Sequence, residues 1–96
     1  MNYSGVYILH NKTKNLYYLG QGKQVLNRVN AHFTGHGNGY VYADYKCGDR
    51  FTIRTIRLES SGFSYLNDLE RYCIRKYNAY SRGYNRTRGN KGYRSI

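Results

Sequence analysis

The sequence predicts one small α/β (α+β) domain: a β-hairpin, then helices, a further strand and a last helix around a single core. Three observations carry that prediction. A length of 96 residues leaves room for one hydrophobic core and not for two. An apolar fraction of 40%, with 13 Tyr and 3 Phe, supplies the bulky side chains that a disordered basic tail lacks. The apolar pattern also switches along the chain between short, Tyr-rich or β-branched runs and the three-to-four-residue recurrence of helices.

The elements follow in order. Gly5 to His10 (GVYILH) and Leu16 to Gly20 (LYYLG) are strand-like, and Asn11-Lys12-Thr13-Lys14-Asn15 between them is turn chemistry, so they form a hairpin. With the turn centred between Lys12 and Thr13, Tyr7 and Tyr18 pair directly across the strands and project from the same face. From Gln24 to Phe33, Val25, Leu26, Val29 and Phe33 recur at helical spacing until Gly35, Gly37 and Gly39 end the pattern. Tyr40 to Lys46 reads as a second short helix stopped at Gly48. Phe51 to Leu58 (FTIRTIRL) is a β-branched run whose phase slips near Thr55, which suggests a bulge. Ser64 is placed to cap a longer helix reaching about Tyr77, with Leu66, Leu69, Cys73, Ile74 and Tyr77 on one arc.

Charge narrows the function. The formal net charge is +11, and all five acids (Asp44, Asp49, Glu59, Asp68, Glu70) lie between positions 44 and 70. From Arg71 onward come eight basic residues, among them Arg71, Arg75, Arg82, Arg86, Arg88, Lys91 and Arg94, interleaved with Tyr72, Tyr77, Tyr80, Tyr84 and Tyr93. A phosphate backbone rewards such a surface through counterion release, and tyrosine stacks on bases or donates to phosphate oxygens, so nucleic acid is the expected partner. A solvated cationic face, or one touching acidic lipid, is the plainer alternative. The longest uncharged stretch, Val29 to Ala43, is interrupted by Asn, His and Gly and is too short for a membrane helix. Met1 to Ser4 has no secretory signal character, which points to the cytoplasm. Cys47 and Cys73 are too few for a disulfide scaffold and too far apart for a zinc ribbon, so both read as reduced thiols.

One carboxylate is out of place. On the last helix Glu70 falls among Leu66, Leu69, Cys73, Ile74 and Tyr77, while Asp68 points away. A desolvated carboxylate needs an ion pair, hydrogen bonds or a metal, and a buried salt bridge to arginine accounts for it as well as a functional site does. On the first helix Arg28 and His32 are i and i+4, both at the edge of the apolar face. Two phenols, a guanidinium, an imidazole and an inward carboxylate suit the binding and attack of a phosphodiester. That reaction needs a deprotonated water and positive charge at the phosphoryl oxygens. His36 lies four residues after His32, a metal-like spacing, but without a cysteine or second histidine cluster nearby a zinc site is not expected.

Gly5-Val6-Tyr7 and Tyr18-Leu19-Gly20, ten residues between the tyrosines, followed by Arg28, His32, Glu70 and Asn85, resemble the ordered motifs of the GIY-YIG nuclease family. The resemblance runs from Gly5 to about Asn90, with Val6 and Leu19 as conservative departures. It implies a three-stranded antiparallel sheet flanked by helices, and hydrolysis of DNA with one divalent ion, Mg²⁺ or Mn²⁺. It further implies that Glu70 binds the metal and Tyr7 activates water, that Arg28 contacts the scissile phosphate and Tyr18 positions the attacking group. His32 would pass a proton or compete as base, because a free tyrosine has a pKa of about 10, and Asn85 would support the site. Residues 1–90 would form the nuclease domain and 91–96 a basic C-terminal tail. Arg71, Arg75, Arg82, Arg86, Arg88 and Lys91 are the expected DNA contacts. Family members with two-part architecture suggest a homodimer, or fusion to a separate DNA-binding region. Composition rich in Asn, Lys and Tyr without Pro or Trp hints at a bacterial, phage or mobile-element origin. The competing reading is a nucleic-acid-binding module on the same fold that does not cut, with Glu70 locked in an ion pair.

Overall fold

Strand β1 (Gly5–Asn11) is buried at every residue but His10, which is why its GVYIL run does not alternate between apolar and polar. The structure, a computed structural model, describes residues 2–86. In it β1 is the middle strand of a three-stranded sheet, antiparallel both to β2 (Leu16–Gly22) and to β3 (Phe51–Arg57), in the order β2-β1-β3. Helix α3 (Leu66–Lys76) covers one face, where Val6, Ile8 and Leu19 meet Leu69, Cys73, Ile74 and Ala79. Helices α1 (Val25–Phe33) and α2 (Gly39–Lys46) stand on the other, where Tyr7 and Leu9 meet Val25, Val29, Val41 and Tyr84. Burying side chains of this size stabilises by about 1.5–3 kcal/mol each. Asn38 caps α2, its side-chain oxygen accepting from the backbone N–H groups of Tyr40 and Val41.

The chain after α3 returns along the outer edge of β2. Tyr84 donates its N–H to the carbonyl of Tyr17. The Asn85 side chain accepts from the Leu19 N–H at 2.8 Å and donates to the Leu19 carbonyl at 2.9 Å, pairing with that edge as a strand would. The Tyr84 hydroxyl donates to Asp44 and accepts from buried Asn11, whose amide also donates to Asp49. Lys14 bridges both carboxylates, so two of the chain's acids stabilise the end of the domain where the hairpin turn meets α2.

The structure corrects four expectations. The hairpin turn is centred between Thr13 and Lys14, which pairs Tyr7 with Gly20 and Tyr18 with Leu9; Asn15, at φ 57°, completes the loop between the strands. Strand β3 pairs residue for residue with β1 and has no bulge. Its phase slips because Phe51 packs with the α1 face and Ile56 with the α3 face, each end of the strand being covered from a different side. Leu26 is 40% exposed, and the inward stripe of α1 is Val25, Val29 and His32. Helix α3 starts at Leu66 with Tyr65 at the N-cap, so Ser64 lies one residue outside, and Asp68 supplies the acidic group in the first turn. Cys47 and Cys73 are both free, as expected. Arg88, Lys91, Arg94, the boundary at 90 and the 91–96 tail lie outside the described residues.

Candidate active site

Strand β2 has two gaps on the face that carries Tyr18. A Cβ on Gly20 would stand 2.2 Å from Cζ and Oη of Tyr7, and one on Gly22 would stand 2.8 Å from Cγ of Arg28. The phenol and the guanidinium stem therefore fill the two vacancies that these glycines leave at alternate positions of the strand. Tyr18 lies on the same face, its ring centroid 6.2 Å from that of Tyr7. Gly5 has a matching role at the other motif, since a Cβ there would come within 2.4 Å of the Ile56 carbonyl and push β3 away.

Glu70 reaches the same place from the opposite layer. Gln21, between the two glycines and pointing the other way, donates from Nε2 to Glu70 Oε1 at 2.9 Å and to Asn67 Oδ1 at 2.6 Å. The result is a polar cleft of about 400 Å³ across the edge of β2, lined by Tyr7, Tyr18, Arg28 and Glu70 with Gly20 and Gly22 as its floor. Burial pushes the Glu70 carboxyl upward, against Gln21 and Arg28, which favour the charged form. Burial and then Tyr18 push the Tyr7 phenol upward, with Arg28 pulling it down. Tyr18 is raised by burial and by Glu70.

His32 is 3% exposed and sits behind Tyr7. Its Nε2 is 2.7 Å from Tyr7 Oη, and its Nδ1 accepts the backbone N–H of Asn38 at 2.8 Å. Burial, reinforced by the Arg28 charge, moves its pKa down to about 4. The unfolded chain binds a proton on this ring below the ordinary value of about 6.5 and the folded chain does not, so stability falls as pH drops from about 6.5 toward 4. Glu70 works in the opposite direction, because its raised pKa lets the folded state take up a proton first. Urea unfolding at pH 7 and pH 4.5 should therefore show wild type losing on the order of 2 kcal/mol more than His32→Gln. Equal losses in the two proteins would mean that His32 is solvated and free to charge.

Of the six expected site residues, Tyr7, Tyr18, Arg28 and Glu70 share the cleft and His32 joins them through Tyr7. Asn85 does not line the cleft; it holds the strand that carries Tyr18 and Gly20. Gln21 and Gly22 were absent from the expected set, although a glycine on each side of a glutamine in a strand is a readable sign of close approach. Arg71, Arg75, Arg82 and Arg86 are exposed. Arg71 and Arg75 line a recess of about 390 Å³ with Asn78 and Ser81 near the end of α3, and the Arg86 guanidinium lies over the Tyr40 ring. Among the described residues no group of three His, Cys, Asp or Glu side chains gathers around a common point, at His36 or elsewhere.

The fold has solved counterparts. A variant of the catalytic domain of the intron endonuclease I-TevI is similar at a TM-score of 0.65 with 24% identity, over 91% of this chain and 95% of that one. The catalytic domain of the homing endonuclease I-TevI is similar at a TM-score of 0.60 with 22% identity, over 88% and 98%. No curated protein sequence matches the chain. The GIY-YIG catalytic domain family matches residues 3–85, a span that holds both tyrosine motifs and Arg28, His32, Glu70 and Asn85, and the chain belongs to the GIY-YIG nuclease family.

Proposed function

We propose that this nuclease domain is an endonuclease that hydrolyses DNA phosphodiesters with one divalent cation held at Glu70. The observation that carries the reading is the convergence of Tyr7, Tyr18, Arg28 and Glu70 on one cleft. Glu70 is desolvated there, yet the ion pairs among the described residues are those of Lys14 with Asp44 and Asp49. A locked ion pair was what the non-cleaving alternative required. The donor set fits a hard ion that keeps most of its waters, such as Mg²⁺ or Mn²⁺, because Glu70 is the carboxylate among the described residues that line the cleft. When bound, that ion would neutralise charge on the phosphoryl oxygens and acidify a water. Arg28, its stem seated over Gly22, places a permanent positive charge beside the scissile phosphate, where loss of such a group costs on the order of 10²–10³ in rate. Tyr7 lines the cleft and, as the phenolate that Arg28 and a bound cation would favour against the upward pull of burial, accepts the proton of the attacking water, while Tyr18 orients it. Gln21 aims the carboxylate.

The basic recess at Arg71 and Arg75 would hold the DNA backbone away from the cut. Site choice would come from a second copy or from a separate DNA-binding region. Among the described residues no helix is long and apolar enough to cross a membrane.

Supercoiled plasmid and single-stranded DNA, each with Mg²⁺ or EDTA, test the reading directly. Cutting that needs the metal is expected, and cutting undiminished in EDTA, or none under any condition, would overturn it. Arg71→Ala with Arg75→Ala should weaken binding evenly across sequences and flatten its salt dependence by one or two phosphate contacts' worth.

A further inference from the structure

We infer that Gly37 and the backbone amide of Asn38 act as a tautomer lock, holding His32 as a hydrogen-bond donor to Tyr7 and so excluding it as the base. The inference rests on the reading of Tyr7 as the group that takes the water's proton. A backbone N–H can only donate, and Asn38 N lies 2.8 Å from His32 Nδ1. Nδ1 therefore presents its lone pair, and the single hydrogen of a neutral imidazole must sit on Nε2. Nε2 is 2.7 Å from Tyr7 Oη, so the ring donates to the phenolic oxygen and has no lone pair with which to accept from it. A charged imidazolium would set a second N–H against the Asn38 amide, which agrees with the lowered pKa of this ring.

The loop that makes this contact is built for it. A Cβ on Gly37 would stand 2.5 Å from His32 Nδ1 and 2.9 Å from Cε1 and Cγ, so only glycine lets the backbone lie against the ring. Asn38 is also the N-cap of α2, its side chain accepting from Tyr40 and Val41 while its own backbone N–H turns to His32. The start of α2 thus reaches the chemistry through His32, with no residue of its own in the cleft.

The proton path follows. The Tyr7 Oη–H bond breaks toward the cleft and its proton goes to solvent, since the side facing His32 is taken by the Nε2–H. The phenolate then takes one proton from the attacking water as the new bond to phosphorus forms, and the leaving oxygen departs as its bond breaks and is protonated from solvent, which restores the proton that Tyr7 released. His32 neither gains nor loses a proton and stabilises the phenolate by donation throughout. It is a positioning residue, as are Gly37 and Asn38.

The test is a pair of substitutions at one position. Asn38 has φ −71°, a value that proline adopts unstrained, and the preceding Gly37 tolerates a following proline. Asn38→Pro removes both the N–H and the cap, while Asn38→Ala removes the cap and keeps the N–H. Long-range ¹H–¹⁵N spectra of histidine-labelled protein read which ring nitrogen carries the hydrogen. Wild type and Asn38→Ala should show His32 protonated at Nε2 and cut plasmid at rates within a few-fold of each other, because loss of the cap costs stability and leaves the N–H in place. Asn38→Pro should lose the Nε2–H signature and cut on the order of 100-fold more slowly, the scale of a lost proton-transfer arrangement. An Nδ1–H ring in wild type, or an Asn38→Pro protein that matches Asn38→Ala in spectrum and rate, overturns the proposal. If Asn38→Pro does not fold, the wild-type spectrum still decides, and Gly37→Ala replaces it as the variant that displaces the ring. A wild-type domain with the Nε2–H ring that cuts no DNA would leave the lock standing and remove the nuclease reading instead.

Discussion

Glu70→Gln abolishes cleavage and leaves DNA affinity unchanged or higher. The substitution keeps the size of the side chain and an oxygen that can still accept from Gln21 Nε2, so the α3 side of the cleft stays in place. What it removes is the negative charge that makes the group a cation ligand. Loss of that ion withdraws several kcal/mol of transition-state stabilisation, on the order of 10³ in rate or more. Binding moves the other way, because the variant deletes one of few acids from a domain of net charge +11, close to where the phosphates lie. Stability should not fall, since burial already disfavours the ionised carboxyl and a neutral amide is cheaper to desolvate. Plasmid nicking beside filter binding at fixed salt, with a melting curve for each protein, separates the three effects. Cleavage that survives, or affinity that falls with it, would remove Glu70 from the metal-binding role.

The same residue shows how far a sequence carries its own explanation. Glu70 could be placed inside by counting turns on a single helix, because Leu69, Cys73 and Ile74 around it are buried and mark the inward arc. The hairpin, α1, α2 and β3 were legible for a similar reason: each has a local apolar period and a turn or glycine where it stops. What local pattern could not supply was the partner on the far side. Tyr7 and Tyr18 were assigned as a direct pair from turn composition, and a shift in turn centre made them diagonal neighbours on the same face. Leu26 looked like core and is half out, because His32 took the inward place in the next turn. The role of Gly20 depends on a ring that arrives from another strand, and that of Asn85 on a backbone 66 residues away in sequence. A side chain's type announces that it needs a partner; only the fold says which one.

Tyr7→Phe is the second large effect, and it isolates one oxygen atom. The ring that fills the vacancy over Gly20 is kept, so the packing of β1 on β2 survives, while Oη disappears from the cleft. Loss of the proton acceptor predicts a fall in turnover of roughly 10²–10⁴-fold with DNA binding retained. The variant also strips the Nε2 of His32 of its side-chain partner among the described residues, which costs about 1–3 kcal/mol for a buried polar group. Removal of the phenolic hydroxyl from its own buried position offsets part of that. Gly20→Ala supplies the control, since its Cβ collides with the far end of the same ring, displacing the hydroxyl without deleting it. If Gly20 matters to the reaction by making room for that oxygen, the double variant Tyr7→Phe with Gly20→Ala should cut no more slowly than Tyr7→Phe alone, although it will be the less stable protein. Two independent, multiplying losses of rate would instead show that Gly20 acts on the cleft through something other than Tyr7. Full activity in Tyr7→Phe itself would move the proton to a different acceptor, with Tyr18 the nearest phenol left in the cleft.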